Sequence, residues 1–190
     1  CCFDRAHNAS ALSIATTAPR ASLYQTGGRG ACQRRCACNL AVTPDALASL
    51  HAAAFAPSRG WSAEEFARLC DSAHVTCYCG PESFALVRSL SGEAELLTLA
   101  VHPKARRKGH ARALMTEWLA AENAQTAFLE VAEDNIAALG LYRAFGFTEQ
   151  GRRRAYYKRE NGIWADALLM QLALPAPDTS ETATRIPKTG

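Results

Sequence analysis

Residues 96–111 read Leu96-Leu97-Thr98-Leu99-Ala100-Val101-His102-Pro103-Lys104-Ala105-Arg106-Arg107-Lys108-Gly109-His110-Ala111. An apolar run suited to a buried strand stops at a proline. A short basic loop follows, and a helical pattern opens through a glycine and a small residue. Amide N–H groups at such a helix start can wrap a phosphate, and the helix dipole favours its charge. Gly109 and Ala111 keep bulk away from those amides. Taken alone, the loop reads equally well as a solvated basic turn. It is not a P-loop, because the Gly-Lys-Ser/Thr spacing is absent, and it is not a dinucleotide fingerprint.

Outward from this stretch the chain alternates. Downstream, periodicity predicts a helix over 109–121, a strand over 126–131, a helix over 135–145 and a strand from Thr148. A last strand over 165–174 follows a turn at Asn161-Gly162. Upstream, Ser91-Gly92 and Gly80-Pro81 separate strand-like runs at 75–79, 84–90 and 95–101. Ser62-Ala63-Glu64-Glu65 is a capping box for a helix through Phe66 and Leu69. Thr43-Pro44-Asp45 opens another helix, whose apolar face holds Ala46, Leu47, Leu50, Ala54 and Phe55 before residues 57–60 break it. The order predicts an α/β domain with antiparallel hairpins at both ends and one strand–helix–strand crossover.

Composition narrows the classes. A chain of 190 residues, 48% hydrophobic and 21% charged, suits one domain with a sizeable core and excludes a collagen-like, wholly disordered or coiled-coil protein. A net charge of +3 lacks the bias of a dedicated nucleic-acid binder, and no apolar run is long enough to cross a bilayer. The eight cysteines are Cys1, Cys2, Cys32, Cys36, Cys38, Cys70, Cys77 and Cys79, with none beyond. A disulfide scaffold would spread them through the core, so a reducing, cytoplasmic setting is expected. Cys32, Cys36 and Cys38 lack the second pair and the nearby histidine of a structural zinc site, so no metal is expected. Cys70, Cys77 and Cys79 read as buried or incidental thiols.

A second informative segment begins with Phe128-Leu129-Glu130-Val131, an apolar strand carrying one carboxylate. Asn135 and then Leu139-Gly140-Leu141-Tyr142-Arg143-Ala144-Phe145-Gly146-Phe147 follow. A strand end and the next helix can bring Glu130 and Tyr142 to one cleft. There a carboxylate would accept an amine's proton and a phenol would donate to a leaving thiolate. From the residues alone, Glu130 equally suits a solvent-facing position, Tyr142 a core position, and Asn135 a helix cap.

The residues carry a family likeness. Arg106-Arg107-Lys108-Gly109-His110-Ala111 resembles the Gln/Arg-x-x-Gly-x-Gly/Ala signature of the GNAT N-acetyltransferases, and the element order over 43–174 resembles their fold. The segment from Leu129 to Phe147 is similar to the corresponding run of the ribosomal-protein-alanine N-acetyltransferases, the RimI type. So is the ending Arg152-Arg153-Arg154-Ala155-Tyr156-Tyr157 with Asp166-Ala167-Leu168-Leu169-Met170, a spacing for which the residues alone give no physical need. Ala111 in place of glycine and the acidic Ala132-Glu133-Asp134 depart from the pattern.

The resemblance implies a GNAT acyl-CoA N-acyltransferase fold: a mixed, mostly antiparallel sheet flanked by helices, with a splayed central strand pair. Acetyl-CoA would enter between 97–101 and 128–131. Main-chain groups of Leu99, Ala100 and Val101 would orient the acetyl carbonyl. Arg106, Arg107, Lys108, Gly109, His110 and Ala111 would hold the pyrophosphate, with Asn135 as a further contact. Glu130 would be the general base and Tyr142 the general acid. The implied reaction moves an acetyl group to the N-terminal α-amine of a protein, foremost an alanine-starting ribosomal protein. Neither nucleic acid nor membrane is an expected partner. An acetyltransferase of small-molecule amines and a non-catalytic acetyl-CoA sensor remain alternatives. An RNA contact at 152–158 is explained more cheaply as a solvated strand edge.

The domain is expected over 42–174. Residues 1–41 show no sustained period and are expected to be a disordered or non-native extension read in frame, with Val42 in the place of a GTG start. Residues 36–42 offer only a weak pattern for a first strand. Residues 175–190 are expected to be a disordered tail.

Overall fold

Helix α1 (Pro44–Phe55) starts where its sequence provides a cap: the Thr43 hydroxyl accepts from the Ala46 amide at 3.2 Å, and Pro44 occupies the first turn. Helix α2 (Ala63–Cys70) starts from a complete capping box, the Glu65 amide donating to Ser62 Oγ at 3.3 Å and the Ser62 amide donating to the Glu65 carboxylate at 2.6 Å. The computed structural model describes residues 42–56, 59–159 and 162–175. The expectations for residues 1–41, including Cys32, Cys36 and Cys38, and for the chain after residue 175 lie outside the described residues.

Strands β1 (Val75–Gly80), β2 (Ser83–Leu90) and β3 (Glu93–Val101) form an antiparallel meander. Ser91 and Gly92 join the last two with φ of +54° and +83°, the geometry of a type I′ turn, whose twist matches that of the strands. A 3-10 turn (Pro103–Ala105) leads to α3 (His110–Ala121), then β4 (Thr126–Ala132), α4 (Ile136–Ala144), β5 (Thr148–Lys158) and β6 (Trp164–Ala173). The expected elements fall within about two residues of these bounds.

The strands make one open, six-stranded sheet in the order β1-β2-β3-β4-β6-β5, parallel between β3 and β4 and antiparallel elsewhere. Strand alternation sends side chains to two cores. On one face Leu47, Phe55, Phe66, Phe84, Leu86 and Leu97 pack beneath α1 and α2. On the other, Leu99, Met115, Trp118, Val131, Tyr142 and Met170 pack beneath α3 and α4. Arg106 ties the halves together, donating from Nη2 to the Ala54 carbonyl of α1 at 2.7 Å and from Nε to the Val101 carbonyl of β3 at 3.5 Å.

Candidate active site

At Leu97, β3 changes its relation to both neighbours. Toward β2 the register runs Val87↔Leu96 and then Leu86↔Thr98, so Leu97 is an extra residue, a β-bulge. Its effect is visible in the cores: Leu96 faces α3 and α4, Leu97 and Ala100 face α1 and α2, and Leu99 and Val101 return to the α3–α4 side. Toward β4 the parallel pairing runs from Glu93↔Thr126 to Leu96↔Leu129 and ends there. Strand β4 continues against β6 as far as Ala132↔Ala167. The two central strands therefore part at Leu97, and among the described residues the β3 edge over residues 97–101 has no strand partner on that side. The side chains of Leu99, Ala100 and Val101 are buried in the two cores, which leaves main-chain groups toward the splay.

Glu130 is the first β4 residue beyond the last paired position. Its neighbours Leu129 and Val131 belong to the same core as Tyr142, so Glu130 points to the opposite face. Glu130 is buried, its side chain 9% exposed. Its Oε2 lies 3.4 Å from Nη1 of Arg153, while buried Oε1 has no hydrogen-bond partner among the described residues. Burial raises the acid's pKa above the ordinary carboxylate value, Arg153 opposes that shift and Glu95 adds to it. Glu95 is itself paired with Arg88.

Tyr142 on α4 is completely buried, edge-on to Phe147 at 6.1 Å, and its hydroxyl has no hydrogen-bond partner among the described residues. Burial pushes its pKa far up, so the phenol is protonated. The candidate acid and base thus sit on opposite faces of the sheet, Glu130 beside the splay and Tyr142 in the core that holds Leu99, Val101 and Val131. Asn135 caps α4, its Oδ1 accepting from the Ala138 amide at 3.2 Å.

The basic loop ends in a left-handed cap. Gly109 has φ of +85° and precedes α3 with no side-chain cap. A Cβ there would meet nothing within 4 Å, so the backbone conformation, rather than crowding by the protein, calls for glycine. Arg107 is also left-handed, at φ +64°. Arg107, Lys108 and Gly109 are exposed, and His110 and Ala111 are half-buried. Arg106 differs from these: its amide donates to Pro103 at 3.3 Å and its guanidinium to two carbonyls, so its observed bonds hold the loop to α1.

The β5–β6 hairpin supplies what the sequence pattern left unexplained. Asp166 Oδ1 accepts from the Ala155 amide at 2.9 Å and Oδ2 meets Arg152 at 3.1 Å. Glu133 binds Arg152 at 2.8 Å and accepts from the Asp166 amide at 3.0 Å. This network holds a bulge between Arg153 and Tyr157, where Ala155 has φ of +49°. Tyr157 packs on Ala132, Ala165 and Ala167, with Tyr156 edge-on to it at 5.0 Å. Arg152, Arg153 and Arg159 each meet a carboxylate, so much of the basic run's charge is compensated locally. Sequence reasoning missed the roles of Arg153, Glu133 and Asp166.

Among the described residues, no group of three or more His, Cys, Asp or Glu is arranged for a metal ion, and no helix is long and apolar enough to cross a membrane. Cys77 and Cys79 are buried and carry no disulfide, their sulfurs 3.4 Å apart.

Residues 45–147 match the Acetyltransferase (GNAT) family. The chain is 37% identical over 95 residues to the [ribosomal protein bS18]-alanine N-acetyltransferase of Escherichia coli K12, a match covering 48% of this chain and 64% of that protein. It is 35% identical over 134 residues to the N-alpha-acetyltransferase RimI of Mycobacterium tuberculosis, covering 65% of this chain and 82% of that one. The crystal structure of the Escherichia coli ribosomal-protein-S18-alanine N-acetyltransferase superimposes with a TM-score of 0.61 at 29% identity, over 70% of this chain and 88% of the other.

Proposed function

The chain belongs to the GNAT acetyltransferase family, and we propose that it moves an acetyl group from acetyl-CoA to the N-terminal α-amine of a protein, foremost a ribosomal protein that begins with alanine. One observation carries the chemistry: a buried carboxylate beside the strand splay and a buried phenol on the opposite face, in the core that also holds Leu99, Val101 and Val131 of the parting strands, each have an oxygen with no hydrogen-bond partner among the described residues. An amine approaching from the Glu130 face and a thiol leaving on the Tyr142 face would meet at that splay. Glu130 accepts the proton released as the nitrogen–carbon bond forms. Tyr142, kept protonated by burial, donates to the sulfur as the carbon–sulfur bond breaks. A peptide α-amine, with a reference pKa of about 8, is already partly neutral near pH 7, so a carboxylate is a strong enough base.

Acetyl-CoA fits the residues present. The amides opening α3 lack intrahelical acceptors, as at any helix start, and the backbone at Gly109 is open, with nothing within 4 Å of where a Cβ would stand. Arg107 and Lys108 stand exposed beside them. Main-chain groups of 99–101, on the stretch of β3 that does not pair with β4, would orient the acetyl carbonyl. The peptide reading draws on the relatives, which are named as alanine N-acetyltransferases of a ribosomal protein.

The test is to incubate the full chain with acetyl-CoA and peptides differing at residue one, alongside polyamines, and to map the acetyl group by mass spectrometry. The expected product is an acetylated α-amine, with alanine-starting peptides preferred. Transfer to polyamines but to no peptide would overturn the substrate assignment. Binding of acetyl-CoA without transfer to any amine would overturn the catalytic one.

A further inference from the structure

We propose that Arg153 is a positioning residue for this reaction: reaching across β6 from the edge of the β5 bulge, it holds Glu130 Oε2 and leaves Oε1 to the incoming amine. The inference rests on the acetyl-transfer reading, but its observations are independent of any ligand.

Strand β6 lies between β5 and β4, so Arg153 must reach over a whole strand. The register shows how. Arg153 pairs with Ala167 on β6, and Ala167 pairs with Ala132 on β4. Directly paired residues share a face, and these alanines keep the sheet surface low beneath the guanidinium. After Arg153 the regular pairing lapses until Tyr157↔Ala165. That bulge is pinned by Asp166 on the Ala155 amide at 2.9 Å. It brings the Tyr156 ring under the Arg153 guanidinium at 5.6 Å. Arg153 is therefore held between an aromatic face and a carboxylate oxygen at 3.4 Å.

Electrostatics explain why the contact matters. The charged and titratable groups that influence Glu130 come from β3 and β5. Glu95 raises its pKa and Arg153 lowers it, and Glu130 in turn raises that of Tyr157. Arg153 supplies the positive charge opposing both burial and Glu95. Without it, the buried acid would keep its proton over more of the pH range and could not accept one from an amine.

The experiment compares the full chain with Arg153→Met, Arg153→Gln and Arg153→Lys. Glu130 is followed by carboxyl carbon-13 NMR without ligand, its signal assigned by loss in Glu130→Gln. In both neutral variants Glu130 is expected to titrate about one pH unit higher or more. The acidic limb of the kcat/KM profile for an alanine-starting peptide should move with it, with KM for acetyl-CoA unchanged. Arg153→Lys should restore most of the shift. Arg153 is half-exposed, with 47% of its side chain accessible, so folded variants are expected, and two neutral replacements guard against failure of one. The same Glu130 titration in wild type and both neutral variants would overturn the proposal. Because that readout needs no turnover, an inactive wild type would sink the acetyl-transfer reading while the titration still judged Arg153.

Discussion

Tyr142 is in a position where phenylalanine would pack without a penalty. Its ring is completely buried, and the hydroxyl has no protein partner among the described residues. Leaving such a group buried without a hydrogen bond costs about 1–3 kcal/mol, so the hydroxyl works against stability in the protein alone. That sets it apart from Asn135, whose side chain caps α4. Tyr142→Phe is therefore expected to be at least as stable as wild type, by about 1 kcal/mol where the cavity closes well. Its turnover should fall about 100-fold, the usual worth of a positioned proton donor, while the KM for acetyl-CoA stays near wild type. Urea unfolding and steady-state kinetics on the same preparation decide between the two readings the sequence left open. Reduced stability with unchanged turnover would make Tyr142 a core residue and nothing more.

The elements were legible where local chemistry marks their ends. Thr43 with Pro44, the Ser62–Glu65 box and the Ser91-Gly92 turn each carry their meaning within four residues, and each forms as read. Bulges were not legible. The run from Leu96 to Val101 is almost uniformly apolar, so nothing in it reveals that the faces exchange at Leu97. The run Arg152 to Arg154 is uniformly basic, and the contact of Arg153 with Glu130 depends on a strand order in which β6 separates their strands. The Asp-Ala spacing near the chain's end was visible as a likeness but not as a mechanism, because its partners, Arg152, Ala155 and Glu133, come from two other strand regions. Asp166 is the element that makes β5 irregular in a useful way. Asp166→Ala removes the acceptor for the Ala155 amide and one partner of Arg152. Hydrogen exchange at Ala155 is expected to quicken about tenfold, the equivalent of one ordinary hydrogen bond. The KM for peptide should rise, with exchange in β1–β3 unchanged. An unaltered Ala155 amide would show that the bulge is held by something other than Asp166.

Across the whole molecule, acid sensitivity should enter through the α1–α2 core rather than through a candidate catalytic group. His51 of α1 is 3% exposed, stacked on Phe55 at 3.9 Å and on Trp61 at 5.1 Å, with Phe66 edge-on at 5.5 Å. Its Nδ1 accepts from the Trp61 amide at 3.1 Å, which places the proton of the neutral ring on buried Nε2. Burial lowers the imidazole pKa from 6.5 to about 3. Between those values the unfolded chain binds a proton that the folded chain refuses, so stability is full above pH 6.5 and falls as the pH drops toward 3. Glu130, with its raised pKa, has the opposite sign and favours the folded state as it protonates, in the interval above the ordinary carboxylate value. Between pH 7.5 and 5.0 the histidine should by itself cost about 2 kcal/mol in urea unfolding. His51→Gln keeps a polar side chain but cannot titrate, and should abolish most of that slope. The consequence reaches the loop, because Arg106 anchors it to the Ala54 carbonyl at the end of the same helix. Acetyl-CoA affinity is expected to weaken over the same pH interval in wild type and less so in His51→Gln. An equal loss of stability in the two proteins would place the acid sensitivity outside the α1–α2 core.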